Sequence, residues 1–439
     1  MNHVIQANLK ENIQEAFTTF EKQLNGQRKS KWHQKRVEAL NTLQGLSYPT
    51  VRHEEWKYTN LTKLLSNNYA FNAPSNLDKA AVLAFSLQDL DAHKLVFING
   101  VFKKEFSSYS SEKGIHILSL KEAYKEHSEL IEANFGKYAE IENEPFTALS
   151  TAFALDGVFI LAEKSSIASK PVFVLSITDT AEYPVIAQPR NLVLAEENAQ
   201  ITIIEDFVSI GENPAFLNYV SEFKVDKHAH VDHYKLQNKA AKNFYVGTTQ
   251  VQQSNNSNYN NTVVTLGGGL VRNNLNILLD GEHCEAFMNG LFMLKDQDHV
   301  DNHTMVDHMK PNSYSNELYK GVLDGRSTGV FNGKIYVRKY AQKTNAFQEN
   351  KNILLSENAT VDTKPQLEIW ADDVKCSHGA TTGALDEEPL FYLRSRGIGE
   401  DKARALLMNA FAADVISRIK SDAFKKHIEE LIGNRLSNK

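Results

Sequence analysis

Two side chains that bind metal ions in many proteins, a thiol and an imidazole, stand close together at Cys376 and His378. Alternate side chains of a β-strand point to the same face, so a strand here presents both groups side by side. Gly379 follows directly, and we expect the backbone to turn there. Thiolate and imidazole both suit iron and zinc, but two ligands do not complete a four-coordinate site, so further ligands must come from elsewhere. A buried cysteine beside a hydrogen-bonded histidine is the alternative, and the residues alone favour it.

A second group of metal-binding side chains lies in the segment D-H-V-D-N-H-T-M-V-D-H-M. It contains His299, His303 and His308, interleaved with Asp298, Asp301 and Asp307. On a strand without a bulge, His299 and His303 share one face. Two interpretations stay open, a metal site and a ladder of hydrogen-bonded polar side chains on a solvent-facing strand. The surrounding valine, threonine and asparagine residues favour strand and turn over helix, and the ladder is the favoured interpretation.

Two glycine-containing segments bear a partial likeness to nucleotide sites. The run T-L-G-G-G-L-V-R lacks the Gly-Lys-Ser/Thr ending of a phosphate-binding loop, and G-V-F-N-G-K-I is one residue short and ends in Ile335. The glycines Gly267 to Gly269 are more simply a tight corner. We therefore predict no nucleotide site on this chain.

The composition limits the class of protein. The 439 residues carry a formal charge of −6, which gives no net attraction for nucleic acid or for an anionic membrane. The most apolar runs, Val158 to Ala162 and Pro171 to Ile177, are far shorter than the roughly 20 residues of a membrane helix. Two cysteines are too few for a disulfide framework, and the N-terminal residues show no signal-peptide pattern. The sequence predicts a globular protein of the reducing cytoplasm, without nucleic acid or membrane partners.

The elements that must position these groups are mainly strands. From residue 156 to residue 385, short β-branched or aromatic runs are separated by turns rich in Asn, Asp, Glu and Gly. A turn containing alanine recurs in E-N-A-Q-I, K-H-A-H-V and E-N-A-T-V. The interval from Ala199 to Ala229 is shorter than the interval from Asp280-Gly281 to Asp324-Gly325. An irregular repeat of this kind is typical of a β-solenoid, and we expect the asparagines at 255–261 and 273–276 to occupy its corners or loops.

Helices are expected on both sides of this core. Apolar residues at three- and four-residue spacing predict helices from Asn2 to Leu24 and from Arg28 to Leu46, with more helix between Ser119 and Ala154. Further helices follow Leu385. The predicted domains are an N-terminal helical and mixed domain (1–155), a β-helix core (156–385) and a C-terminal helical domain (386–439).

The C-terminal domain carries an apolar stripe. Leu407, Phe411 and Val415 recur at four-residue spacing on the helix that begins near Gly399. We expect a final helix, from about Asp422 to Ile432, to cover part of this stripe and a partner protein to cover the rest.

The run D-T-K-P-Q-L-E-I-W-A-D-D-V-K-C-S-H-G-A-T, followed by L-F-Y-L-R-S-R-G-I, closely resembles the SufB/SufD family of iron–sulfur cluster assembly scaffold proteins. The segment P-T-V-R-H-E-E-W-K-Y-T resembles the N-terminal signature of that family, and from the residues alone Trp56 and Tyr58 anchor the helical domain to the rest. The resemblance implies a right-handed parallel β-helix flanked by N-terminal and C-terminal α-helical domains. It also implies a non-enzymatic scaffold.

The resemblance further implies partners and a site. The family works with a SufB-like sister scaffold and with two copies of a SufC-like ABC-type ATPase, which the C-terminal helices grip and which supplies the nucleotide site. His378 matches a histidine at the contact with the sister scaffold, where a transient iron–sulfur cluster is shared, with Cys376 as a candidate second ligand. The SufB sister typically carries additional cysteines, whereas no cysteine precedes Cys284 and none lies in T-N-A-F-Q-E-N-K-N-I-L-L. The chain therefore resembles the SufD type, which is not expected to hold a stable cluster alone.

Two other functions stay open on the residues alone. One is a β-helix enzyme acting on acidic polysaccharides, with Asp372 and Asp373 as cation ligands or bases. Such enzymes are usually secreted, so the missing signal pattern counts against this function. The other is a purely structural β-solenoid. The sequence leaves open whether a flavin binds and whether the isolated chain forms a homodimer.

Overall fold

The computed structural model of the protein describes residues 5–22, 24, 30–87, 89–110, 112–238 and 242–437. Its centre is a β-solenoid, in which the chain passes alternately between two sheets and successive turns pair in parallel. Sheet A consists of β1 (Ile5–Asn8), β2 (Asn68–Phe71), β5 (Ile115–Ser119), β6 (Val158–Ala162), β8 (Val185–Ala187), β9 (Arg190–Ala195), β11 (Ala215–Val225), β13 (Asn243–Gln253), β15 (Leu270–Leu279), β17 (His299–His308), β19 (Thr328–Val337) and β21 (Thr360–Ile369). Sheet B consists of β3 (His93–Ile98), β4 (Val101–Phe102), β7 (Val172–Asp179), β10 (Gln200–Ile210), β12 (His230–Gln237), β14 (Asn258–Thr265), β16 (Glu285–Leu294), β18 (Tyr314–Leu323), β20 (Asn345–Leu354) and β22 (Lys375–Gly383).

Helices flank the solenoid at both ends of the chain. The N-terminal region contains α1 (Ile13–Lys22), α2 (Lys31–Gly45), α3 (Thr62–Leu65), α4 (Lys79–Leu83), α5 (Leu120–Glu126), α6 (Ser128–Asn134) and α7 (Pro145–Ala152), with short 3₁₀ turns at Glu54–Trp56 and Lys104–Phe106. The C-terminal region contains α8 (Glu387–Ser395), α9 (Glu400–Ile416) and α10 (Asp422–Ser437). The predicted fold class, a mainly β protein with a parallel β-helix between helical ends, is confirmed.

The predicted helix from Asn2 to Leu24 is partly wrong. Ile5–Asn8 is a strand that pairs antiparallel with β2, and the helix begins at Ile13. The partner strand follows α1, α2 and α3 in the chain, so helical spacing in the local sequence does not reveal the pairing. The parts of the N-terminal helix predictions at positions 2–4, 23, 28 and 29 lie outside the described residues.

The length of a solenoid turn varies, which explains the irregular sequence repeat. Strand register pairs Phe244 with Leu270 in one turn and Thr328 with Thr360 in another, and the second interval is the longer. The interval from Ala199 to Ala229 is one complete turn on sheet B. The interval from Asp280-Gly281 to Asp324-Gly325 starts after β15 of sheet A and ends after β18 of sheet B, so it spans one and a half turns.

Residues in the left-handed region turn the chain at several corners. Asn198, His228, Asn256 and Asn312 have φ values of 62°, 59°, 58° and 65°. Asparagine tolerates this conformation better than most residues, as the asparagine-rich sequence led us to expect. The prediction is wrong for the asparagines at 258–261, which lie within β14, and for those at 273–276, which lie within β15. Amide side chains of β15 bond between turns: Asn273 Nδ2 donates to Asn302 Oδ1 at 3.0 Å.

The interior of the solenoid changes character along its length. The first turns are filled by aliphatic and aromatic side chains such as Ile160, Val174 and Phe223. In the last turns, buried polar side chains replace many of them, including Glu317 and Gln348, each 1% exposed. Among the described residues, no helix combines the length and apolar composition that a membrane crossing requires.

Candidate functional site

The last turn of the solenoid ends in two edge strands. Strand β22 pairs with β20, strand β21 pairs with β19, and among the described strands neither has a further neighbour. All residues of β22 are exposed except Cys376, which is half-buried. Because an edge strand presents unpaired backbone groups, this open end of the solenoid is suited to pairing with another chain.

Strand register shows which way Cys376 and His378 point. Cys376 lies opposite Ala346 and His378 lies opposite Gln348 in the parallel pair. Ala346 and Gln348 are buried, at 0% and 1% exposure, and register partners point to the same side of a sheet. Both candidate ligands therefore lie on the interior side of sheet B at the open end, and the prediction that they share a face is confirmed.

The predicted turn at Gly379 is wrong. Strand β22 continues through this glycine to Gly383, and a Cβ atom at Gly379 would meet nothing within 4 Å. The strand continues because its pairing with β20 extends to Ile353, opposite Gly383.

The two candidate ligands differ in their surroundings. Cys376 packs against an apolar cluster that contains Ile335, Ala346 and Ala371. Burial raises the pKa of the Cys376 thiol, although a hydrogen bond from the Ala346 backbone opposes the effect. The thiol is therefore protonated in the isolated chain, whereas the His378 imidazole is exposed and free to meet a ligand.

Two interior residues on the preceding solenoid turns lie in register with His378, and the sequence did not single them out. Gln348 is its neighbour on β20, and Glu317 is the neighbour of Gln348 on β18. Gln348 Nε2 donates to Glu317 Oε2 at 2.6 Å. Alternation along N-A-F-Q-E-N puts Gln348 on the same side as the buried Ala346, so a polar residue on the apolar side of the strand was the available signal.

The three histidines of the second candidate site are not brought together. His299 and His303 lie on the outer face of β17, as predicted for a strand, whereas His308 points inward and is hydrogen-bonded to Ser315 at 2.9 Å. Burial lowers the pKa of His308 to about 3. No cluster of three or more potential metal-ligating side chains occurs within the described part of the chain.

His299 and His303 instead help to hold the segment that contains Glu55 and Thr59, here called the N-terminal segment, on sheet A. His303 Nε2 lies 3.1 Å from Asp301 Oδ1, and His303 Nδ1 lies 3.5 Å from Glu55 Oε2. The Thr59 hydroxyl donates to Asp301 Oδ2 at 2.5 Å and lies 2.9 Å from His299 Nε2. These contacts form the predicted ladder of polar side chains, although it is covered by the N-terminal segment and does not face solvent.

The carboxylates of the same segment extend this anchor. Glu55 pairs with Lys334, and Glu54 pairs with Lys364 on the neighbouring strand. The prediction that the E-E-W segment anchors the N-terminal region is supported for Trp56, which is 8% exposed, but not for Tyr58, which is 37% exposed.

The predicted apolar stripe of α9 faces the solenoid. Val415 is 0% exposed and Phe411 is partly buried, because this face of the helix packs on β16 and β18 of sheet B. Leu407 is half-buried. The solenoid therefore supplies much of the cover that we expected from a partner. The large apolar side chains that α8 and α9 leave exposed are Phe391, Tyr392 and Leu406, at 73%, 57% and 43%.

The glycine-containing segments and the pair Asp372 and Asp373 lie within the solenoid. Gly267 and Gly268 form the corner between β14 and β15, with φ of 120° and 150°, and the segment ending in Ile335 lies on β19. Asp372 and Asp373 are exposed at the corner between β21 and β22, where Asp373 pairs with Lys343.

The fold and the open end place this chain among the β-solenoid proteins, and comparison with known proteins gives the family. Two family models match, one described as SufBD protein N-terminal region at residues 7–174 and one as SUF system FeS cluster assembly, SufBD core domain, at residues 176–411. An iron–sulfur cluster assembly SufBD family protein of Synechocystis sp. is 34% identical over 409 residues, which cover 91% of this chain and 90% of the relative. The iron–sulfur cluster assembly protein SufD of Escherichia coli is 31% identical over 403 residues, covering 90% and 91%.

A more distant relative gives the same picture. SufD of Bacillus subtilis is 25% identical over 415 residues, which cover 91% of this chain and 93% of the relative. The chain belongs to the SufB/SufD family of iron–sulfur cluster assembly proteins, and the resemblance seen in the sequence is confirmed.

Proposed function

We propose that this protein is a SufD-type scaffold subunit of the SUF iron–sulfur cluster assembly machinery, and that it acts without catalysing a reaction of its own. The observation that carries the proposal is the open end of the solenoid, where the edge strand β22 presents His378 and Cys376. Family membership and the extent of the similarity to SufD proteins support it.

The partner at the open end is a SufB-like sister scaffold in this proposal. Edge strands bind other chains by main-chain hydrogen bonds, and alternate side chains then face the partner. Strands β21 and β22 present their full lengths, Thr360–Ile369 and Lys375–Gly383, for such a contact. In isolation the same edge accommodates a second copy of this chain, so a homodimer is the expected state without the sister.

The nascent iron–sulfur cluster is the cargo of this interface. His378 supplies one imidazole nitrogen to iron, and the sister scaffold supplies the remaining ligands, because two side chains cannot complete the coordination. Cys376 contributes a second ligand only if its thiol loses a proton, which iron binding promotes and burial opposes. The cluster is held transiently, since each scaffold provides an incomplete set of ligands.

The energy source in this proposal is a SufC-like ATPase, with one copy on each scaffold and two in the complex. The side chains available for docking on this chain are the exposed Phe391, Tyr392 and Leu406 of α8 and α9, together with the half-buried Leu407 and Phe411. Val415 supports the docking surface from beneath, because it is buried against the solenoid. The reducing cytoplasm is the compartment in which such a thiol and cluster persist.

Two proline substitutions in β22 test the partner contact. The Lys375 N–H donates to the Thr344 carbonyl on the β20 side, so alternation directs the N–H of Thr381 to β20 and the N–H of Ala380 to the free edge. Ala380→Pro therefore removes a donor from the open edge and leaves the internal ladder intact.

The measurement is the affinity of each purified variant for the sister scaffold. We expect Ala380→Pro to weaken binding by about ten-fold or more while the monomer stays folded. Thr381→Pro, the matched control, disrupts pairing with β20 and lowers the melting temperature. Unchanged affinity of a folded Ala380→Pro protein would exclude the β22 edge from the interface.

A further inference from the structure

Three side chains on successive turns form a polar line that leads from the interior of the solenoid to its open end. Glu317 on β18, Gln348 on β20 and His378 on β22 are register neighbours, and all three lie on the interior side of sheet B. The corresponding residue one turn earlier is Met288, so the polar line begins at Glu317.

The hydrogen bonding of this line is incomplete in the isolated chain. Gln348 Nε2 donates to Glu317 Oε2, and within the described part of the protein Gln348 Oε1 is buried without a hydrogen-bond partner. The amide nitrogen of Gln348 faces Glu317 Oε2, so the amide oxygen is left over. Buried polar atoms of folded proteins are nearly always paired, so this acceptor, like other unpaired buried polar atoms of the described residues, is available to a further donor.

The facing sheet fixes the place of the Gln348 amide. Gly333 on β19 lies directly against it, and a Cβ atom at Gly333 would lie 2.1 Å from Gln348 Nε2 and 2.8 Å from its Cδ. The absence of a side chain at Gly333 therefore creates the space that the amide occupies. Gln348 is held by Glu317 on one side and by the Gly333 backbone on another, next to the strand position of His378.

We infer that Gln348 is a positioning residue for His378: when the sister scaffold closes the open end, Gln348 Oε1 accepts the N–H of one imidazole nitrogen and directs the other, unprotonated nitrogen at iron. A histidine that binds a metal almost always donates its other ring N–H to such an acceptor, which fixes the tautomer and the orientation of the ring. This inference rests on the proposed role of His378 and names the residue that orients it.

Two substitutions of Gln348 separate positioning from packing. Gln348→Met keeps the length of the side chain and removes the acceptor. Gln348→Glu keeps an oxygen that can accept from His378. In the Gln348→Glu variant, the new carboxyl lies beside the carboxyl of Glu317. Burial raises the pKa of Glu317 to about 7 against the effects of Thr304 and Gln348, so we expect the two carboxyls to hold a proton between them at neutral pH. Asn352→Leu is the matched control, since Asn352 is a buried amide on the same strand and face but lies opposite Thr382.

The experiment uses the full chain, labelled with ¹⁵N-histidine, in its complex with the sister scaffold and the ATPase. After reconstitution with iron and sulfide, pulsed EPR of the reduced cluster measures hyperfine coupling to imidazole nitrogen, and iron per complex gives the yield. We expect coupling in the wild type, its loss in His378→Ala, and its loss in Gln348→Met with a yield lower by about ten-fold or more. Gln348→Glu and Asn352→Leu retain the coupling.

The outcomes test the role of Gln348 and the role of His378 separately. Wild-type coupling and yield in Gln348→Met overturn the inference and leave the proposed function intact. Loss of coupling in Asn352→Leu also overturns it, because general loosening of the last turns then explains the result. If Gln348→Met fails to assemble, Gln348→Glu decides: retained coupling supports the inference and lost coupling contradicts it. If the wild type shows no coupling that depends on His378, the proposed role of His378 fails, and the inference fails with it.

Discussion

The guanidinium of Arg272, on β15, lies 4.2 Å from the centre of the Trp56 ring in the N-terminal segment. The same guanidinium donates to Asp301 Oδ2 at 2.5 Å and to the Glu55 carbonyl at 2.8 Å. The side chains of Arg272 and Asp301 are 3% and 1% exposed. Burial raises the pKa of Asp301, but Arg272 and His303 outweigh burial and hold that pKa well below its usual range. This contact fixes the N-terminal region on the outer face of sheet A.

We expect Arg272→Met to destabilise the protein by about 3 kcal/mol, because it leaves Asp301 buried without its strongest cationic partner. Urea unfolding of the purified chain measures the loss. Arg338→Met is the matched control: Arg338 also pairs with an aspartate on the same sheet, but it is 43% exposed, and its loss should cost less than about 1 kcal/mol. Equal losses for both variants would contradict the assignment of Arg272 as the main anchor.

Glu317 gives the stability of the chain a defined pH dependence. Its pKa is raised by burial from 4.5 to about 7, so between these values the folded state binds more protons than the unfolded state and stability falls as pH rises. Glu317→Gln removes this dependence. Relative to wild type, the free energy of unfolding of the variant should increase by roughly 3 kcal/mol from pH 4 to pH 8. Glu349→Gln, on the exposed outer face of β20, is the control. If the free energies of unfolding of wild type and Glu317→Gln changed with pH in parallel, the assignment of the pH dependence to Glu317 would be refuted.

Two substitutions in α9 distinguish an effect on ATPase docking from an effect on folding. Leu406→Asp places a charge on an exposed position, so the melting temperature should change little while binding of the ATPase falls by about ten-fold or more. Val415→Asp buries an unpaired charge against the solenoid and should unfold the C-terminal region. Melting curves and titration of the purified ATPase distinguish the two effects. Full ATPase affinity in a Leu406→Asp protein would remove this face of α9 from the docking surface.

Much of the fold could be predicted because local residue patterns specify it. The helix that begins after Gly399, the solenoid turn between Ala199 and Ala229, and the strand that carries Cys376 and His378 all follow from spacing and turn residues. The strand at Ile5–Asn8 was missed because three helices separate it from its partner strand in the chain. The local sequence has helical spacing there, and only the tertiary fold specifies that β1 pairs with β2.

The candidate site was predicted less completely than the fold. Cys376 and His378 are neighbours in sequence, so their shared face could be predicted. Gln348 and Glu317 lie one and two solenoid turns before His378, and because the length of a turn varies, register cannot be counted from the sequence. The stripe at Phe411 and Val415 was correctly recognised as apolar, but an apolar stripe does not say whether the solenoid or a partner covers it.

In the proposed function, His378 at the open end takes part in building the cluster. We expect His378→Ala to leave the complex with the sister scaffold and the ATPase assembled, because one truncated side chain is a small part of the interface. Ser377→Ala is the matched control, since Ser377 lies on the same strand but points to the outer side. Cys376→Ala should reduce cluster yield less than His378→Ala if its thiol mainly packs against Ile335 and Ala346, and equally if the thiolate binds iron.

The most direct measurement is iron and sulfide per reconstituted complex, with Mössbauer spectra to identify the cluster. The proposed function predicts a yield at least about ten-fold below wild type for His378→Ala and a wild-type yield for Ser377→Ala. A wild-type cluster yield from an intact His378→Ala complex would contradict it and would leave this chain as a structural partner only.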